Sequence, residues 1–190
     1  MIDNVSPSQP RTGRLVLGLA VAGVLVAADQ LVKTWVLDVL TPGVFVPFLG
    51  NSIGWQLVFN PGGAFGIPAP SWIFLVVTVV VVVVVARLLP RASTRWQAVA
   101  LGMLLAGAIG NVIDRLVRSD GQGFGQGPVV DFVAWGTFPR FNVADASITV
   151  GFVLLVITMW ADEQSREQLP ADERQGPGPD DGATTERDST

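Results

Sequence analysis

The chain has 190 residues, of which 49% are hydrophobic and 15% charged, with a formal net charge of -4. Soluble domains carry about 25% charged residues, so this composition is that of a membrane protein. There is no His, Cys or Tyr, and the one lysine is Lys33, which excludes Ser-His-Asp and Cys-His catalysis, HExxH zinc sites, disulfides and c-type haem attachment and leaves any chemistry to carboxylates, Asn, Ser/Thr, Arg and one Lys.

A helix needs about 20 apolar residues to cross a bilayer, and four segments approach this length. Residues 1–14, carrying Arg11 and Arg14, precede the first, 15–37. Asp29 and Lys33 interrupt it at a spacing that allows a helical ion pair. The spacing suits a structural pair anchoring the span. Arg11, Arg14 and the apolar run to Ala28 also resemble a signal peptide, with Val26-Ala27-Ala28 as a cleavage site. Apolar residues resume after Asp29 and favour a retained span.

Residues 38–70 mix Gly and Pro with β-formers and predict short strands and turns on the membrane surface. Within them, Asn60-Pro61-Gly62-Gly63-Ala64-Phe65-Gly66 reads as a turn, either an ordinary loop or backbone passing close to a bound peptide. The second span, 71–89, holds the valine run 79–85; its length and lack of alternation favour a membrane helix over a strand. Arg87, Arg91 and Arg95 surround the turn to the third span, 96–116. Residues 117–141 are loop-like through 120–128 and then apolar around 129–135. The fourth span is 145–160.

Arginines before span one and between spans two and three place both regions, and so both termini, in the cytoplasm. Trp35 and Trp72 then fall at the outer boundary, Trp96 and Trp160 at the inner one. Residues 162–190 carry nine acids and three arginines in a polar, Pro- and Gly-rich composition that predicts a disordered tail. The body, residues 1–161, is slightly basic. No nucleic-acid signature is present.

Between residues 15 and 161 the acids are Asp29, Asp38, Asp114, Asp120, Asp131 and Asp145. The topology puts all of them at or beyond the outer face, where charges are functional candidates. Asp114 ends the third span and Asp145 begins the fourth, so the two can lie side by side. Each follows an Asn by three residues, in Asn111-Val112-Ile113-Asp114 and Asn142-Val143-Ala144-Asp145. Asn111 can share a face with Asp114, and Asn142 suits an N-cap. Ala98, Gly102, Ala106, Gly110 and Asp114 recur every four residues, a small-residue face that turns Asp114 into a helix interface. Two close carboxylates share one proton and can serve as general acid and base on water. The alternative is that both cap or pair with Arg115, Arg118 or Arg140. Arg115 either anchors the span or bonds a substrate carbonyl. The spacing of Asp131 allows no assignment. A transporter would instead place acids at mid-membrane, and a scaffold would use them only as caps.

Taken in order, Asp29-Gln30-Leu31-Val32-Lys33, the Asn60–Gly66 turn, the run from Gly107 to Leu116, Val129-Val130-Asp131-Phe132-Val133, and the run from Phe141 to Ile148 resemble the bacterial lipoprotein signal peptidases, signal peptidase II. Gly63 stands where that family usually has Ala, and Ala106 where it often has Gly. The resemblance implies a polytopic α-helical protein of the cytoplasmic (inner) membrane, with four transmembrane helices, a small extracytoplasmic β-cradle from 38–70 and a periplasmic-side flap from 117–141. It implies an aspartic endopeptidase with the dyad Asp114 and Asp145. The substrate would be a diacylglyceryl-modified prolipoprotein, cut immediately before its lipidated cysteine, and globomycin would block cleavage. Asn60, Asn111, Arg115 and Asn142 are expected around the substrate, with Asp29 and Lys33 in support. A monomer is expected, with no metal or cofactor.

Overall fold

The computed structural model describes residues 11–64, 67–68, 71–118 and 123–167. Residues 168–190, most of the acidic tail, and Asp120 lie outside the described residues. The four apolar segments form α1 (Arg11–Val39), α2 (Ser71–Leu88), α3 (Arg95–Val117) and α4 (Val143–Glu167), each long and apolar enough to cross a membrane. A helix satisfies all its backbone groups internally, which is why even the valine run is helical. Pro90 cannot continue the α2 ladder, and Leu89–Arg91 closes the segment as a 3₁₀ turn. α1 runs unbroken through Val26-Ala27-Ala28. α4 outruns its apolar segment because Asp162 is tied to the start of α3, accepting hydrogen bonds from the Ser93 hydroxyl and from Gln97 Nε2 at 3.0 Å.

α3 is the central helix and packs against α1, α2 and α4. The small-residue face explains how. Ala98, Gly102, Ala106, Gly110 and Asp114 are all buried. Gly102 lies on the backbone of Gly18 in α1, where any Cβ would collide with the Gly18 carbonyl. Gly107 lies under the Ala144 carbonyl and the Ile148 side chain of α4. Small residues thus let both neighbours approach closely. A Cβ at Gly110 would sit 2.8 Å from Asp29 Oδ2, so polar side chains meet where the three helices converge.

The strands are β1 (Phe45–Leu49), β2 (Ile53–Asn60), β3 (Gly63–Ala64), β4 (Ile67–Pro68), β5 (Val129–Trp135) and β6 (Phe138–Phe141). β3 and β4 pair with each other; the others form one antiparallel sheet in the order β1-β2-β5-β6. The sheet is therefore built from both inter-helix segments. Residues expected to form a flap contribute two of its strands. Val36 of α1 packs with Leu57, Val130 and Phe132, and Trp55 contacts Trp35, Phe48 and Phe132 with ring centroids 5.7–6.0 Å apart. Side chains alternate along a strand. With Val130 and Phe132 in the apolar cluster, Asp131 between them faces the other way, toward the ends of α3 and α4.

Candidate active site

The site begins at the N-terminus of α4. Asn142 caps it: its side-chain Oδ1 accepts the Asp145 N–H at 2.9 Å, and Asp145 Oδ2 accepts the Asn142 N–H at 3.1 Å. This reciprocal arrangement is a capping box. A further end group, the Ala144 N–H, is satisfied across the bundle by Asp29 Oδ1 at 2.9 Å. The helix start is thus fixed by both its own residues and α1.

Lys33 is fully buried and stands among three helices. Its Nζ lies 2.8 Å from Asp29 Oδ2, 2.9 Å from Asp114 Oδ2 and 3.2 Å from Asn111 Oδ1. The expected Asp29–Lys33 pair is present, and it extends to Asp114. The other contacts of Asp114 are Arg118 Nε at 3.4 Å, Gln30 Nε2 at 3.5 Å and the Val130 N–H at 3.1 Å. Asp114 joins α1, α3 and β5, and it has no hydrogen bond to Asp145. Asn111 does not bond Asp114 either. Its Nδ2 donates to Asp145 Oδ1 at 2.8 Å, and its Oδ1 accepts from Asn142 Nδ2 at 3.1 Å as well as from Lys33.

The carboxylate that does approach Asp145 is Asp131. Asn142 links them, donating its side-chain Nδ2 to Asp131 Oδ1 at 2.7 Å and its backbone N–H to Asp145. Asn60, at the end of β2, donates to the second Asp131 oxygen at 3.1 Å. Asn60 Oδ1 also accepts the Gly62 N–H at 3.1 Å, which forms the turn that follows. Gly62 has φ +145°, a conformation suited to glycine. Among the described residues, no cation forms a salt bridge with Asp131 or Asp145.

Asp131 is 3% exposed. Burial, and then the charge of Asp145, push its carboxyl up from 3.8 to about 7; hydrogen bonds from Asn60 and Asn142 and the charge of Lys33 oppose the rise. Two carboxyl groups held by neutral amides, one of them titrating near neutrality, suit general acid–base chemistry. Arg115 is buried beside them. Its guanidinium lies 4.4 Å from the Phe74 ring centroid and donates to the Gly127 carbonyl at 3.4 Å; the charges of Asp131, Asp114 and Asp145 act on it. Arg140 is elsewhere, bonded to Gln56 Oε1 at 2.7 Å.

The contacts distinguish the carboxylates. The oxygens of Asp114 are engaged by Lys33, Arg118, Gln30 and the β5 backbone, and Asp114 is linked to Asp145 through Lys33 and Asn111. Asp131 is joined to Asp145 by Asn142, which bonds to both. The available signal was a lone acid in an otherwise apolar strand, on the face opposite Val130 and Phe132.

A profile of the family described as signal peptidase (SPase) II matches residues 21–161. A lipoprotein signal peptidase of Rhodococcus jostii (strain RHA1) is 41% identical over 154 residues, covering 80% of this chain and 77% of that one. One of Mycobacterium avium (strain 104) is 39% identical over 155 residues, covering 81% and 84%. A solved bacterial membrane enzyme superimposes with a TM-score of 0.69 at 26% identity, over 81% of this chain and 93% of that one.

Proposed function

The chain belongs to the signal peptidase II family, and on that premise we propose that Asp131 and Asp145 are the aspartic dyad with which it cleaves prolipoprotein signal peptides. Like its relatives it is a multi-pass membrane peptidase. The observation that carries the dyad is the Asn142 bridge between two carboxyl groups that form no salt bridge among the described residues.

In this reading the protonated carboxyl donates to the scissile carbonyl oxygen, and the ionised one takes a proton from water. The water oxygen bonds to the carbonyl carbon. The resulting tetrahedral gem-diol collapses: one hydroxyl returns its proton to the dyad, the C–N bond breaks, and the amine leaves with the proton that the dyad took from water. The pair titrates jointly. Asn60, Asn111 and Asn142 hold the carboxyl groups in place. Arg115 is the group suited to meet a substrate carbonyl. Asp29, Lys33 and Asp114 fix α1, α3 and β5 around them.

The sheet end of the bundle faces the outside of the cytoplasmic membrane in this reading, and both termini face the cytoplasm. The arginines at the opposite end and the exposed Trp35 and Trp72 at the sheet end support this orientation. Residues 15–161 form the peptidase core, active as a monomer without metal or cofactor. The substrate is a precursor already carrying diacylglycerol on the cysteine that follows the cut, which brings the scissile bond to the depth of the dyad.

The test is cleavage of diacylglyceryl-modified and unmodified precursors by the full chain in liposomes, read by product mass. Cleavage just before the lipidated cysteine, blocked by globomycin, is expected. Equal cleavage of the unmodified precursor, or a cut elsewhere, would contradict the substrate assignment.

A further inference from the structure

At the end of the bundle away from the sheet, α1, α2, α3 and the 3₁₀ turn frame an apolar cleft of about 260 Å³. Leu15 and Leu19 of α1, Val82 and Ala86 of α2, and Leu89 and Pro90 of the turn line it. In a membrane-spanning segment such a surface accepts hydrocarbon.

The rim is basic. Arg11 stands one helical turn before Leu15, on the same face of α1. Arg14 stands one turn before Gly18, which packs against the Leu89 side chain. Arg87 follows Ala86, and its carbonyl accepts Nη1 of Arg91 at 2.6 Å. Among the described residues, none of these arginines forms a salt bridge. Arg14 Nε is in addition buried with no hydrogen-bond partner among them. A buried donor left unmade is costly, so the site favours an incoming acceptor. On α4 at this end, Asp162 is bonded to Ser93 and Gln97 instead.

We propose that this cleft binds an anionic phospholipid, with an acyl chain along Leu15, Leu19 and Val82 and the phosphate on the Arg14 guanidinium. A guanidinium matches phosphate oxygens in bidentate geometry. Basic residues at membrane-span ends attract anionic headgroups. The apolar lining requires the chain as well as the charge, which separates a lipid from free phosphate. The inference does not rest on the hydrolytic reading, because none of these residues belongs to the Asp131/Asp145 site.

The test titrates the full chain, in a neutral detergent, with phosphatidylglycerol or phosphatidylcholine. Retention in native mass spectrometry and the shift of thermal unfolding are recorded, with glycerol phosphate as a control. Phosphatidylglycerol is expected to bind about tenfold more tightly than phosphatidylcholine, as one charge-assisted hydrogen bond would provide. Arg14→Gln should remove most of that preference, and Arg87→Gln, at an exposed position, part of it. Neither change should alter precursor cleavage in detergent. Glycerol phosphate should have no effect. Equal binding of the two lipids, or a preference intact in both variants, would overturn the proposal. So would an Arg14→Gln effect that needs no lipid, which would assign the arginine to the acidic residues of the chain itself.

Discussion

Asp29, Asp114, Asp131 and Asp145 gather at the sheet end of the bundle, in two unlike settings. Asp29 and Asp114 lie 2.8 and 2.9 Å from the buried ammonium of Lys33. Asp131 and Asp145 meet neutral amides, and Asn142 bonds to both. In the first setting, charge is matched by charge and three elements are locked together. In the second, two carboxyl groups are held by amides and form no salt bridge among the described residues, which in the proposed reading leaves their protons available for chemistry. In the proposed reading the same residue type serves architecture on one side of Asn111 and reactivity on the other, and the direct salt bridge to Lys33 marks the first.

The largest expected effect breaks the reactive side. Asp145→Asn should slow cleavage of a lipidated precursor by about 10²–10⁴-fold, the range for loss of a general acid or base, while the thermal midpoint in detergent changes little. A matching loss of fold would place Asp145 with the structural group. Next comes the structural side. Lys33→Met leaves buried Asp29 without its cation and Asp114 with only the longer Arg118 contact, and should cost about 3–5 kcal/mol of stability. Adding Asp114→Asn should restore part of it, because the sites are coupled. Chemical denaturation in detergent measures both.

The smallest effects are in pH. The Asp131 carboxyl is raised from 3.8 to about 7, so the folded protein holds this proton more tightly than the unfolded chain does. The contribution of this group to stability is complete below pH 3.8, declines as pH rises, and is lost above about pH 7. Cleavage should accordingly show an alkaline limb near pH 7. The Asn60 hydrogen bond lowers the Asp131 value, so Asn60→Ala should move that limb to higher pH. A limb unmoved by Asn60→Ala would assign it to another group.

Much of the architecture was legible because its causes are local. Apolar length located four helices, and the spacing of Ala98, Gly102, Ala106 and Gly110 identified the face of α3 that packs. The cap at Asn142 and the ion pair at Asp29 and Lys33 followed from helix periodicity. The proposed dyad did not, for a physical reason. Asn111-x-x-Asp114 sits inside a helix, where Asn111 reaches α4 and Asp114 reaches α1. Asn142-x-x-Asp145 sits at a helix start and closes on itself. Equal spacing produced unequal geometry. Asp131 reaches the site through strand pairing between β2 and β5, with Val58 opposite it, a long-range register that helix spacing does not encode. The extent of the sheet was hidden for the same reason.

The most direct test of this division compares Asp131→Asn with Asp114→Asn in one assay, recording turnover of a diacylglyceryl-modified precursor and thermal stability on the same samples. The account predicts that Asp131→Asn keeps its fold and loses cleavage, whereas Asp114→Asn loses stability and keeps measurable turnover in whatever fraction remains folded. Near-normal turnover in Asp131→Asn, with a folded and inactive Asp114→Asn, would contradict it.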